Sequence, residues 1–331
     1  MLFANCIPVK GYTRSIICDL QNSQYFFIPN DLYSLLEKFN RKRILDVYSY
    51  YGDENRVIID EYFSFLIEKK LVLYFNSDDE DLFPELELIW DSPSIITNAI
   101  IDFDIESNHN FEDIFEQLQE LGAHFLMLRS YTRISAEEIT KILRFTQNSK
   151  FRNIEFFAQY DSQIEIDSVS DILSNNRRVS RIIFSNSPNN RILTHSLTQQ
   201  IIFTTIPIIN ENCCGKINHS SFHSNLQLFT ESQNFNSCLN RKISINKFGK
   251  IMNCPSMAFD FGNIKTKKLK HVLEDNSFKN IWYAKKDDIQ TCKICEFRYI
   301  CTDCRAFLPN EELFSSKPVK CNYDPISTKW Q

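Results

Sequence analysis

Cys292-Lys293-Ile294-Cys295, followed by Cys301-Thr302-Asp303-Cys304, is the stretch on which the reading of this chain turns. Two thiols two residues apart can wrap one metal centre, because the turn between them points both sulfurs inward. Zinc accepts four thiolates tetrahedrally, and iron–sulfur clusters are held by four thiolates as well. Outward from this stretch the same chemistry continues. Cys254 and Cys238 lie upstream, with Gly249 placed to allow a tight turn that delivers Cys254. Cys213-Cys214-Gly215 lies further upstream and Cys321 follows. The chain has 11 cysteines, and all but Cys6 and Cys18 fall in this region. This many clustered thiols, several two residues apart, is a metal-binding pattern.

Composition bounds the rest. With 331 residues, 43% hydrophobic and 24% charged, the chain suits a folded protein of two or three domains. A net charge of -5 argues against coating nucleic acid or an anionic membrane. Six glycines leave almost nothing from which to build a phosphate-cradling loop. No run approaches the ~18 apolar residues of a membrane span. Met1–Cys6 lacks a basic start and an apolar core, so no secretory signal is expected. A reducing, cytoplasmic setting and free thiols follow as expectations.

Residues 1–76 read as one unit. Leu2–Pro8, Tyr12–Leu20 and Gln24–Ile28 are β-like runs rich in Ile and aromatics. A helix opens after Pro29, with Leu32, Leu35, Leu36 and Phe39 on one face. Arg43–Tyr51 gives a second helix ended near Gly52, Ile58 to Ile67 a third, and Leu71–Phe75 a closing strand. This is the order of a winged helix. The acidic run 76–81 with Pro84 reads as a linker.

Residues 85–210 alternate strand and helix. Ala99–Ile105, Phe125–Leu128, Ile154–Ala158, Ile182–Phe184 and Ile201–Ile209 are strand-like. Between them fall helices at Phe111–Leu121, Ser135–Phe145 and Ile166–Leu173, the second opened by a Ser135/Glu138 capping box. Repeated βα units predict an α/β fold with a parallel sheet, open or curled into part of a barrel. Residues 211–331 lose this periodicity as cysteine rises, and metal is expected to hold them together.

The pattern Cys238…Gly249-x4-Cys254, Cys292-x2-Cys295-x5-Cys301-x2-Cys304, Cys321 resembles the SPASM domain, an extension of radical S-adenosylmethionine (radical SAM) enzymes that modify ribosomal peptides. That family places three residues between the last close pair, and this chain has two. The resemblance implies two auxiliary 4Fe-4S clusters held in interleaved fashion. Cys238, Cys254 and Cys304 with Cys214 (or Cys213) would hold one, and Cys292, Cys295, Cys301 and Cys321 the other. The alternative drawn from spacing alone is a single zinc on Cys292, Cys295, Cys301 and Cys304.

Radical SAM enzymes also carry a Cys-x3-Cys-x2-Cys loop after the first barrel strand. Here that loop is Glu106-Ser107-Asn108-His109-Asn110, with no cysteine. The resemblance therefore narrows to the SPASM-domain peptide maturases of "grasp-with-spasm" systems, with a degenerate barrel that does not cleave S-adenosylmethionine. It is carried by 295–307 and by Asn253-Cys254-Pro255-Ser256-Met257. It implies a maturation protein that binds a precursor peptide, works beside an ATP-grasp ligase and keeps its clusters mainly for structure. A redox enzyme acting through those clusters, or a zinc-stabilised regulator, are the competing readings.

In such systems a PqqD-like winged helix binds the leader by strand addition. Tyr25, Phe26, Phe27 and Ile28 form the expected edge strand, and Leu32, Leu36, Tyr62 and Leu66 the expected groove; the bland alternative is that these side chains fill the core. DNA binding is disfavoured, because the third helix carries Asp60, Glu61 and Glu68. His109, His195, His219 and His223 are scattered and read as surface residues.

Overall fold

The computed structural model describes residues 1–75, 82–309 and 315–331; the expected linker at 76–81 lies outside the described residues. Strands β1 (Cys6–Val9), β2 (Ser15–Asp19) and β3 (Gln24–Ile28) form an antiparallel sheet in the order β1-β2-β3. Helices α1 (Asn30–Phe39), α2 (Ile44–Tyr51) and α3 (Arg56–Glu68) follow. Ile17, Ile28, Leu32, Leu36 and Leu66 pack together under them. The expected closing strand at Leu71–Phe75 is reduced to a single bridge between Leu2 and Val72.

The centre is an eight-stranded sheet in the order β11-β10-β4-β5-β6-β7-β9-β8. Its strands are β4 (Asn98–Phe103), β5 (Phe125–Arg133), β6 (Asn153–Gln159), β7 (Val179–Ser185), β8 (Arg191–Ser196), β9 (Gln199–Phe203), β10 (Lys242–Ile245) and β11 (Ile251–Met252). Pairing is parallel throughout except for β8 and β11 at the two edges. Helices α4 (Phe111–Glu120), α5 (Ala136–Arg144) and α6 (Ile166–Asn175) cross between strands. They bury Ile114, Phe115, Leu118, Ile139, Leu143, Val169 and Leu173 against Leu128, Phe156 and Phe184. Alternation of strand and helix gives this layered parallel architecture because each crossover helix covers a sheet face. The Ser135/Glu138 capping box is formed.

Two features depart from the strand pattern read in the sequence. Arg191–Ser196 is a strand, but an exposed edge one with no apolar alternation to betray it. β10 and β11 come from within the cysteine-rich region, and β10 pairs with β4. The central sheet and the thiol-bearing segment therefore share one core. A helix α7 (Leu226–Glu231) and short turns complete the chain, ending in a two-stranded hairpin, β12 (Tyr323–Asp324) and β13 (Lys329–Trp330). Among the described residues no helix is long and apolar enough to cross a membrane.

Candidate metal centre

The β10–β11 turn carries Gly249 at φ 80°, where its N–H bonds Asn246 O at 2.9 Å. It sends the chain back to Cys254, as the sequence spacing implied. Cys292–Cys295 is one tight turn, closed by Cys295 N–H on Cys292 O at 3.0 Å. Cys321 lies beside Ile217, and Cys301 beside Phe222, each in an isolated β-bridge.

Several of the thiols neighbour one another in two places. The first is around Cys254, which is buried. The neighbouring Cys254 holds the Cys214 thiol well below the ordinary value and is itself raised, with burial and Cys238 adding to that rise. Burial pushes Cys304 up to about 11, with Cys238 and Cys214 contributing. Gly215, at φ 84°, lies so close to Cys304 that a Cβ on the glycine would stand 3.0 Å from Cys304 Sγ. Lys242 Nζ donates to Cys238 Sγ at 3.4 Å. Cys214, Cys238, Cys254 and Cys304 thus neighbour one another.

Cys292, Cys295, Cys301 and Cys321 neighbour one another in the second place. Burial pushes Cys301 up to about 12; Lys286 pulls it down, while Asp303, Cys321 and Cys292 add to the rise. Burial likewise raises Cys295, with Glu296, Cys301 and Cys292 adding to it. It raises Cys292 too, where Cys321 is among the contributing charges. All 11 cysteines are free. Among the described residues no three His, Cys, Asp or Glu side chains stand close enough to share one ion.

Cys213 neighbours Arg129, Cys214 and Asp102; Arg129 and Asp102 are a buried pair set opposite each other on β5 and β4. Arg129 Nε and Nη2 donate to Asp102 at 2.6 and 2.7 Å, and the Tyr131 hydroxyl donates to Asp102 Oδ2 at 2.5 Å. This saturated network sits beside the loop after β4. That loop is pinned by Ser107 Oγ on Lys247 O at 2.7 Å and by an Asp104–Lys247 ion pair at 3.0 Å. His109 is half-buried rather than a surface residue, its Nε2 2.9 Å from Asp102 O. Nothing in the sequence pattern marks Asp102, Arg129 and Tyr131 as a unit; they meet only because β4 and β5 pair.

The expected peptide-binding residues divide. Ile28, Leu32, Leu36 and Leu66 are buried and pack together in the N-terminal core. Tyr25 and Phe27 face the cysteine-rich region, each edge-to-face with Phe297 at 5.6 and 5.8 Å. Phe26 and Tyr62 are half-buried on the other side. β3 pairs with β2 alone, so its outer edge has no strand partner among the described residues.

Residues 237–296 match the family described as SPASM, an iron–sulfur cluster-binding domain. The chain carries a SPASM domain. The matched span includes Cys238, Cys254, Cys292 and Cys295. Cys214, Cys301, Cys304 and Cys321 lie outside it. The SPASM domain sits beyond an α/β unit with a mostly parallel sheet. Among solved structures the chain is similar to Streptococcus suis SuiB bound to S-adenosylmethionine, at 11% identity and a TM-score of 0.38, covering 91% of this chain and 96% of that one. It is similar also to SuiB bound to precursor peptide SuiA, at 12% identity and a TM-score of 0.39, covering 92% and 95%. No curated protein matches.

The chemistry of the donors fits the group this domain binds. Eight thiols besides Cys213 lie between 214 and 321, and an iron–sulfur cluster takes four thiolates. Buried thiolates need compensating charge, and lysines stand ready: Lys242 on Cys238, and Lys286, whose side chain is 4% exposed, beside the second group of thiols.

Proposed function

We propose that this protein takes part in maturation of a ribosomally made peptide. It binds the precursor's leader on the N-terminal sheet and presents it to an ATP-grasp ligase. Two 4Fe-4S clusters serve mainly as cross-links. Residues 1–76 form the recognition unit, 85–210 the degenerate barrel and 211–331 the cluster-binding unit. Cys214, Cys238, Cys254 and Cys304 would hold one cluster, and Cys292, Cys295, Cys301 and Cys321 the other. Bound there, the clusters would tie together loops that are far apart in sequence. With four thiolates in each set, no iron is left open for substrate.

The observation that carries this reading is the unpaired outer edge of β3, in a three-stranded sheet docked on the SPASM domain. An extended peptide can pair with such an edge through main-chain hydrogen bonds. Phe27, 42% exposed, and the half-buried Tyr62 stand where side chains of that peptide would be met. The loop after β4 has no thiol and is fastened to the β10–β11 turn, which supports a barrel without S-adenosylmethionine cleavage.

The test uses the full chain, reconstituted anaerobically with iron and sulfide, and a fluorescently labelled precursor peptide encoded beside it. Micromolar binding, lost on removing the leader, is expected. The precursor mass should stay unchanged with this protein alone and change only when the ligase and ATP are added. A folded, iron-loaded chain that ignores the peptide sinks the proposal. A mass change without ligase would show instead that the protein is itself an enzyme.

A further inference from the structure

Cys295 stands in a run of residues that grip the N-terminal sheet on either side of it in sequence. Before it, Ile294 O accepts from Tyr12 N–H at 2.8 Å. After it, Glu296, 1% exposed, accepts from Arg14 Nε at 2.8 Å. Phe297, fully buried, lies edge-to-face with Tyr25 at 5.6 Å and with Phe27 at 5.8 Å. Arg298 donates to Lys10 O. Two of these contacts converge on one side chain. The Arg14 guanidinium carbon lies 3.7 Å from the centroid of the Phe27 ring. Phe27 is thus held by Phe297 directly and by Glu296 through Arg14. It is 42% exposed and sits on β3, which among the described residues makes no main-chain hydrogen bond except to β2.

We infer that peptide binding at the β3 edge is coupled to metal binding at Cys292 and Cys295. The chain takes the precursor's leader more tightly when the turn between these thiols is metal-bound, and Arg14 and Phe297 are the positioning residues that connect the two sites. This rests on the leader-binding and cluster readings above. A group held by both sulfurs fixes both ends of a turn whose own main-chain closure is the bond from Cys295 N–H to Cys292 O at 3.0 Å. Glu296 and Phe297 follow at once in sequence, so fixing the turn fixes the residues that hold Arg14 and Phe27. An extended peptide pairing with β3 puts alternate side chains on the Phe27 face. Ordering Phe27 and Arg14 beforehand removes part of the ordering cost of binding. Such coupling is reciprocal: the factor that metal adds to peptide affinity, peptide adds to metal affinity. β3 also pairs with β2 and packs Ile28 into its own core, contacts outside the thiol turn. The coupling is therefore graded, at about 10-fold.

The full chain is prepared anaerobically with ferrous iron and sulfide, and again stripped by chelator, as wild type and as Arg14→Met. The probe is the fluorescently labelled precursor peptide. Loaded wild type should bind it about 10-fold more tightly than stripped wild type. Saturating peptide should raise the chelator concentration that removes half the iron. Arg14→Met, compared at equal iron content, should lose most of the affinity difference. Equal affinity in the two wild-type forms, or an iron-removal curve that peptide leaves unmoved, overturns the coupling and leaves leader binding standing. An Arg14→Met chain that keeps the full difference overturns the role given to Arg14. If the stripped chain does not stay folded, the iron-removal curve decides by itself. Peptide ignored by both forms sinks the leader reading, and a chain that takes up no iron or sulfide sinks the cluster reading; the coupling falls with either.

Discussion

At Cys213 and Cys214 two adjacent thiols part company. Cys214 is lowered by the neighbouring Cys254 and is followed by Gly215, which packs close to Cys304 Sγ, while Cys213 neighbours the Asp102–Arg129 pair. Cys214→Ala should therefore cost reconstituted protein one cluster's share of iron, and Cys213→Ala should cost none, by colorimetric iron assay. Glu231 offers a separate check. Burial pushes its carboxyl from 4.5 up to about 7, although Asn240 donates to it at 2.8 Å. A raised folded value means that folding takes up a proton, so stability is full at low pH and falls as pH rises through 7. Glu231→Gln should keep the Asn240 contact and flatten that slope, gaining up to ~3 kcal/mol above pH 7. Urea denaturation at pH 5 and pH 8 measures this; an unchanged slope refutes it.

Among the elements, β4 and β5 carry the clearest energetic consequence. Their pairing places Asp102 opposite Arg129 in register, with both side chains buried. Removing one partner of a buried pair leaves an uncompensated charge, at a cost of about 3–5 kcal/mol. Arg129→Met should show that loss in a denaturation midpoint, and Asp102→Leu combined with it should recover part of the loss. The helices and strands themselves were largely legible from periodicity: Gln24–Ile28 and the Ser135 capping box stand where the sequence put them. β8 was not legible, because an exposed edge strand buries too little to impose alternation. β10 was hidden because its partner, β4, lies well over 100 residues away in sequence.

Across the whole molecule the N-terminal sheet and the cysteine-rich region share one core, joining Val9, Ile16, Cys18 and Leu20 to Ile217, Phe229, Phe297, Ile300 and Cys301. Tyr12 N–H bonds Ile294 O at 2.8 Å, and Arg14 bonds Glu296 at 2.8 Å, which also accepts from Tyr323 at 2.5 Å. Arg298 donates to Lys10 O. The turn between Cys292 and Cys301 is thus also the floor under β2 and β3. Stripping iron from the reconstituted chain should lower the thermal midpoint by roughly 5 °C or more. It should raise protease sensitivity in residues 1–30 as well as around the thiols. Cleavage confined to 211–331 would show that the two regions do not depend on each other.

What the sequence determined by itself was the chemistry: the number of thiols, their two-residue pairs and the absence of any in the loop after β4 are covalent facts that survive any packing. The alternation of β and α runs likewise announced a parallel sheet, since amphipathic period is a local property. Only the tertiary structure decided which sulfurs meet. Cys214 reaches the neighbourhood of Cys254 across the fold, although the two lie far apart in sequence. Such assignments depend on strand pairing and on buried ion pairs such as Lys286–Asp303, whose partners are far apart along the chain. Spacing cannot encode a contact that only the closed core creates.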